Sequence, residues 1–107
     1  MTGRARIVFL IRVAERDWAG FRAAYDDVRQ LVAGTPGHLC DQVCQSTTDP
    51  EQWLITSEWR SLHEFEAWER TEEHRTMVKP MRERMTETRS LRFVIRAETP
   101  GPVEVGS

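Results

Sequence analysis

The chain is poor in several things that would each mark a function. It holds one lysine, Lys79, and two cysteines, Cys40 and Cys44. Its longest apolar run, Ile7 to Ile11, is closed off by Arg6 and Arg12. A membrane-spanning helix needs about 18 or more consecutive apolar residues, so no membrane partner is expected. With 17 acidic against 15 basic residues and a formal charge of −2, the chain has no surplus of cations for a nucleic-acid backbone. There is no glycine-rich phosphate loop and no Gly-x-Ser-x-Gly elbow, which leaves nucleotide binding and serine hydrolysis without support. His38, His63 and His74 follow no recognised ligand spacing, so no metal is expected. The amino-terminal residues carry no signal-peptide pattern, and the expected location is cytoplasmic.

What is present reads as one small α+β domain. At 107 residues there is room for a single core, and 39% hydrophobic residues argue against disorder. Arg4 to Val13 reads as a strand that is apolar on both faces. After Asp17, a candidate N-cap, the stripe Trp18, Phe21, Tyr25, Val28 and Val32 predicts a helix that Gly34 ends. Strands follow over His38–Ser46, with Leu39 and Val43 on one side, and over Gln52–Trp59; the turn Thr47-Pro50 makes them antiparallel. Cys40 and Cys44 on one strand lie about 13 Å apart, whereas a disulfide tolerates about 7 Å between Cα atoms.

Ser61 and Glu64 form a capping box for a short helix carrying Leu62, Phe65 and Trp68 inward. A second helical start at Thr71 leads into His74, Met77, Val78, Met81 and Met85, with Pro80 expected to kink or restart it. Leu91–Ala97 is the predicted last strand. Residues 1–98 form the predicted domain, and 99–107, rich in proline, glycine and small residues, a disordered tail. The order β-α-β-β-α-β is ferredoxin-like, a four-stranded antiparallel sheet with helices on one face. Strands apolar on both faces then need cover from a second protomer, which predicts a homodimer with Trp53, Ile55, Leu91 and Phe93 in its face.

From Arg6 to about Ala97 the pattern resembles the antibiotic biosynthesis monooxygenase family of dimeric α/β barrels. The residues that carry the resemblance are Thr35-Pro36-Gly37-His38, Ser57-Glu58-Trp59-Arg60-Ser61, Phe65, Trp68 and His74. It implies a dimeric barrel and, in several branches, oxygenation of aromatic polyketides or quinols without a cofactor. Anthrone oxygenases of the family are similar at Trp68; they place an asparagine four residues earlier and a hydrogen-bonding side chain six later, where this chain has Glu64 and His74. The heme-degrading branch places a ligating histidine where this chain has Val78, so heme is not expected.

Such chemistry asks a protein for a dry aromatic pocket, a base, and donors for a developing oxyanion. The catalytic candidates implied are His74 as base and Trp68 as ring face and N–H donor. Trp59, Ser57, Glu64, Phe65, Met77 and Met81 are the substrate-binding candidates. The ordinary alternatives are a packed or surface histidine and a core tryptophan. Three readings stay open: an oxygenase taking O2 and an aromatic small molecule, a non-redox cyclase on the same scaffold, and a non-catalytic binding protein.

Overall fold

The computed structural model describes residues 3–102. Its elements are β1 (Ala5–Arg12), a single 3-10 turn (Glu15–Asp17), α1 (Trp18–Val32), β2 (His38–Gln45), β3 (Gln52–Trp59), α2 (Leu62–Glu69), α3 (Glu72–Arg82) and β4 (Thr86–Val94). The strands form one four-stranded sheet in the order β2-β3-β1-β4, with β3 and β4 antiparallel to β1 and β2 antiparallel to β3. This is the ferredoxin-like arrangement. Residues 95–102 hold no regular structure, and the rest of the predicted tail, 103–107, lies outside the described residues.

Register assigns the two faces of the sheet. Pairing of Ile7 with Ser57, Phe9 with Ile55 and Ile11 with Trp53 puts these side chains on one face, because opposed residues project the same way. That face lies under the helices. Ile11, Val13 and Trp53 join Phe21, Tyr25 and Val28 of α1 and Val78 and Met81 of α3 in one buried cluster. Ala5, Ile7, Trp59, Val32 and Phe65 form the second. Trp53 and Ile55 therefore belong beneath the helices and not to an outer face, contrary to expectation; Trp53 meets the rings of Trp18 and Phe21 at 6.1 and 5.7 Å. The other face, open in the single chain, pairs Val8 with Leu91 and Leu10 with Leu54, and carries Phe93.

Four local expectations need correction. Asp17 occupies the N-cap of α1 without a side-chain cap, because a 3-10 turn precedes the helix, and its carboxylate meets Arg84 at 3.4 Å. Pro80 does not divide α3, which runs through it to Arg82; so near the C-terminal end the lost N–H removes little of the ladder. β4 starts at Thr86, not Leu91, because its polar first half is held by pairing with β1. Leu39 does not share a face with Val43: two steps of β2, His38 to Cys40, oppose one step of β3, Trp59 to Glu58. This bulge leaves Leu39 as the extra residue, 49% exposed.

The break between α2 and α3 follows the capping residues. Ser61 Oγ accepts from the Glu64 N–H at 3.2 Å, and Thr71 Oγ1 accepts from the His74 N–H at 3.1 Å while its hydroxyl donates to the Trp68 carbonyl at 2.7 Å. Each hydroxyl satisfies an orphan donor of a first turn.

Candidate functional site

Between the sheet and the helices lies a cavity of about 140 Å³. Its walls are largely apolar, from Ile7, Phe9 and Ile55 of the sheet to Val28, Val78 and Met81 of the helices. One side is a run of aromatic rings. His38 stands edge-on to Trp59 at 5.3 Å, Trp59 lies 5.5 Å from Trp68, and Trp68 meets His74 edge-on at 4.4 Å. Phe65 packs edge-on to Trp59 at 5.4 Å, and the Arg92 guanidinium sits 5.2 Å above the Phe65 ring. Arg92 is held there by Glu69 at 2.7 Å and Glu66 at 3.3 Å.

Thr71 sets the position of His74. By capping α3 on the His74 N–H, it starts the helix so that the imidazole of the first turn falls against Trp68. The residue is 9% exposed, and its Nδ1 is buried without a hydrogen-bond partner. Burial, and next the nearby Arg82 charge, hold its pKa below the ordinary histidine value, with Glu69 acting in the opposite sense. At neutral pH the ring is therefore the neutral form that can take a proton. On β3, the Ser57 hydroxyl accepts from the Trp59 indole N–H at 3.0 Å and keeps its own proton for another acceptor.

Of the residues expected from the sequence, His74, Trp68, Trp59, Ser57, Phe65 and Met81 line this cavity. Glu64 and Met77 do not. The Glu64 carboxylate turns to Arg60 at 3.3 Å and lies over Gly37, so it also fails to return to Ser61 as a full capping box would. Gly37 has φ +89°, and a Cβ there would fall 1.7 Å from Glu64 Oε2. Met77 packs instead against the cluster around Trp53.

A polar group at the His38 end was missed. Asp41 accepts from the Tyr25 hydroxyl through Oδ2 and lies 3.1 Å from His38 Nε2 through Oδ1; all three line the cavity. Burial first, then the hydrogen bond to Asp41, raise the Tyr25 pKa and keep the phenol a neutral donor. The signal lay in β2, where an extra residue lets two side chains three positions apart reach one face, but strand periodicity does not reveal a bulge.

Among the described residues, no group of three or more His, Cys, Asp or Glu side chains converges as a metal site. Cys40 and Cys44 are free and exposed. No helix among the described residues is long and apolar enough to cross a membrane.

The family model described as antibiotic biosynthesis monooxygenase matches residues 5–80. Protein SchA of Streptomyces halstedii is 43% identical over 96 residues, which cover 90% of this chain and 25% of that protein. Polyketide synthase CurD of Streptomyces cyaneus is 41% identical over 98 residues, covering 92% of this chain and 26% of that one. The chain thus spans about a quarter of the length of the curated relatives it matches. Among solved structures, SnoaB, a cofactor-independent oxygenase from Streptomyces nogalater, superposes with a TM-score of 0.81 at 14% identity, over 92% of this chain and 99% of that one. At that identity the likeness speaks for the fold.

Proposed function

The chain belongs to the antibiotic biosynthesis monooxygenase family, and from that premise we propose that it oxidises a phenolic, polyketide-like aromatic with O2, without metal or flavin. The observation that carries this reading is the buried, neutral imidazole of His74, its Nδ1 unpartnered, against Trp68 in an apolar cavity. A buried nitrogen without a partner costs about 1–3 kcal/mol, which a ligand proton would relieve.

In this reading an anthrone- or quinol-type substrate gives a proton to His74. The anion passes one electron to O2, the radical pair recombines into a peroxide, and the peroxide takes the proton back from His74. Loss of water then leaves the quinone, so one oxygen atom enters the product and the other leaves as water. The substrate supplies all the electrons. The Trp68 N–H and Ser57 O–H are the donors for the developing oxyanion, and Trp59, Phe65 and Met81 are the walls. CurD, a polyketide synthase, and SnoaB, a cofactor-independent oxygenase, support the substrate class and the reaction in this reading.

The test is oxygen uptake by the metal-free protein given an anthrone or a hydroquinone, beside His74→Ala. Uptake above autoxidation, reduced at least about a hundredfold in the variant, supports the reading. No uptake across a panel sinks it. Product formed without oxygen consumption would instead favour a non-redox cyclase, a reading that the His38–Asp41 pair supports as a second acid–base group. Binding without turnover would leave an accessory protein.

The same proposal includes a homodimer. The open sheet face carries Val8, Leu10, Leu54, Leu91 and Phe93, the last 51% exposed, and a second copy would cover it.

A further inference from the structure

The cavity has two polar ends, and the reaction proposed above uses only the one at His74. We propose that Asp41, held by Tyr25 and His38, is a second recognition point that accepts a hydrogen bond from a further phenolic hydroxyl of the ligand. The inference rests on reading the cavity as a site for hydroxylated aromatics, and adds to it that the ligand carries at least two oxygen functions.

The backbone is arranged for it. In a regular strand, residues three apart project to opposite faces. The bulge at Leu39 puts His38 and Asp41 on the same face, both lining the cavity. A carboxylate only accepts, so Tyr25 and His38 are both donors to it. Each donor occupies one of about four lone-pair positions on the two oxygens, which leaves acceptor capacity. The Asp41 side chain is 15% exposed and His38 8%. The carboxylate is also fixed in orientation before any ligand arrives, so binding to it loses little further side-chain freedom.

The cavity of about 140 Å³, open to solvent on part of its boundary, is close in volume to one that holds a benzene ring. Suitable probes are therefore small: naphthol, dihydroxynaphthalene isomers and the monomethyl ethers of those diols. Their binding is measured by isothermal titration calorimetry to the wild-type protein and to Asp41→Asn. We expect at least one diol to bind about tenfold or more tightly than naphthol, as a hydrogen bond to a charged acceptor allows. That gain should vanish in the monomethyl ether and in Asp41→Asn. The ether makes the comparison within the wild-type protein, so the test stands even where the variant does not fold. If naphthol binds and no diol binds more tightly, or if the ether keeps the gain, the second recognition point is wrong while the aromatic-site reading survives. If no naphthalene binds at millimolar concentration, both fall.

Discussion

His74 carries a penalty that the fold itself does not require. Its Nδ1 is buried and unpartnered, and the ring is held neutral chiefly by burial. Replacing it by phenylalanine, similar in shape and without the orphan nitrogen, should leave the melting temperature unchanged or raise it, while oxygen uptake is lost. The pH dependence has a definite sign. A histidine whose folded pKa lies below its ordinary value of 6.5 adds no protonation penalty while neutral, and resists taking a proton in the folded state. As pH falls below that value the unfolded chain takes up the proton first, so stability is lost progressively down to the folded pKa. Thermal melts between pH 7.5 and 5 should show this loss in the wild type and a smaller one in His74→Phe; equal slopes would remove His74 as the cause. Helical spacing made Trp68 and His74 legible as inward-facing residues, each on its own helix, and the family resemblance made them site candidates. Tyr25 was legible only as one member of a stripe, since its hydroxyl partner lies on another element, and Asp41 drew no attention inside a mixed strand.

The two short helices depend on hydroxyl caps at their starts, and Thr71 links stability to the site. Thr71→Ala removes both the acceptor for the His74 N–H and the donor to the Trp68 carbonyl. It should cost about 1 kcal/mol, read from the midpoint of urea unfolding, with Thr71→Ser restoring most of it. If the alanine variant matches wild type, the cap is not what starts α3. Both caps were readable in advance, because a hydroxyl followed by acidic residues is a local signal. β4 was only half readable. Thr86 to Ser90 contains no apolar residue and becomes strand through its ladder with β1, a non-local cause. Pro80 misled for the opposite reason: the local rule is sound in mid-helix but weak this close to a helix end.

The whole chain presents one covered sheet face and one open one, and the open face decides whether it works alone. Sedimentation of the wild type should show a dimer at micromolar concentration. Phe93→Asp, placed opposite Arg6 and beside Val8 and Leu91 on the open face, should shift it to monomer with secondary structure retained. A wild-type monomer would overturn the proposal. The sequence implied two apolar faces, but assigning residues to each needed the register, which is why Trp53 and Ile55 were misplaced. Register has a further consequence at the edge strand β2. One surplus residue, Leu39, bulges out of the ladder between His38 and Cys40, and it is half exposed and absent from both buried clusters. The loss of that single codon would make the ladder regular with His38 still opposite Trp59, facing the cavity, and the hydrophobic interior left in place. The chain can thus change length at this sheet margin, by gaining or losing the bulged residue, without exchanging or turning any residue of the cavity wall.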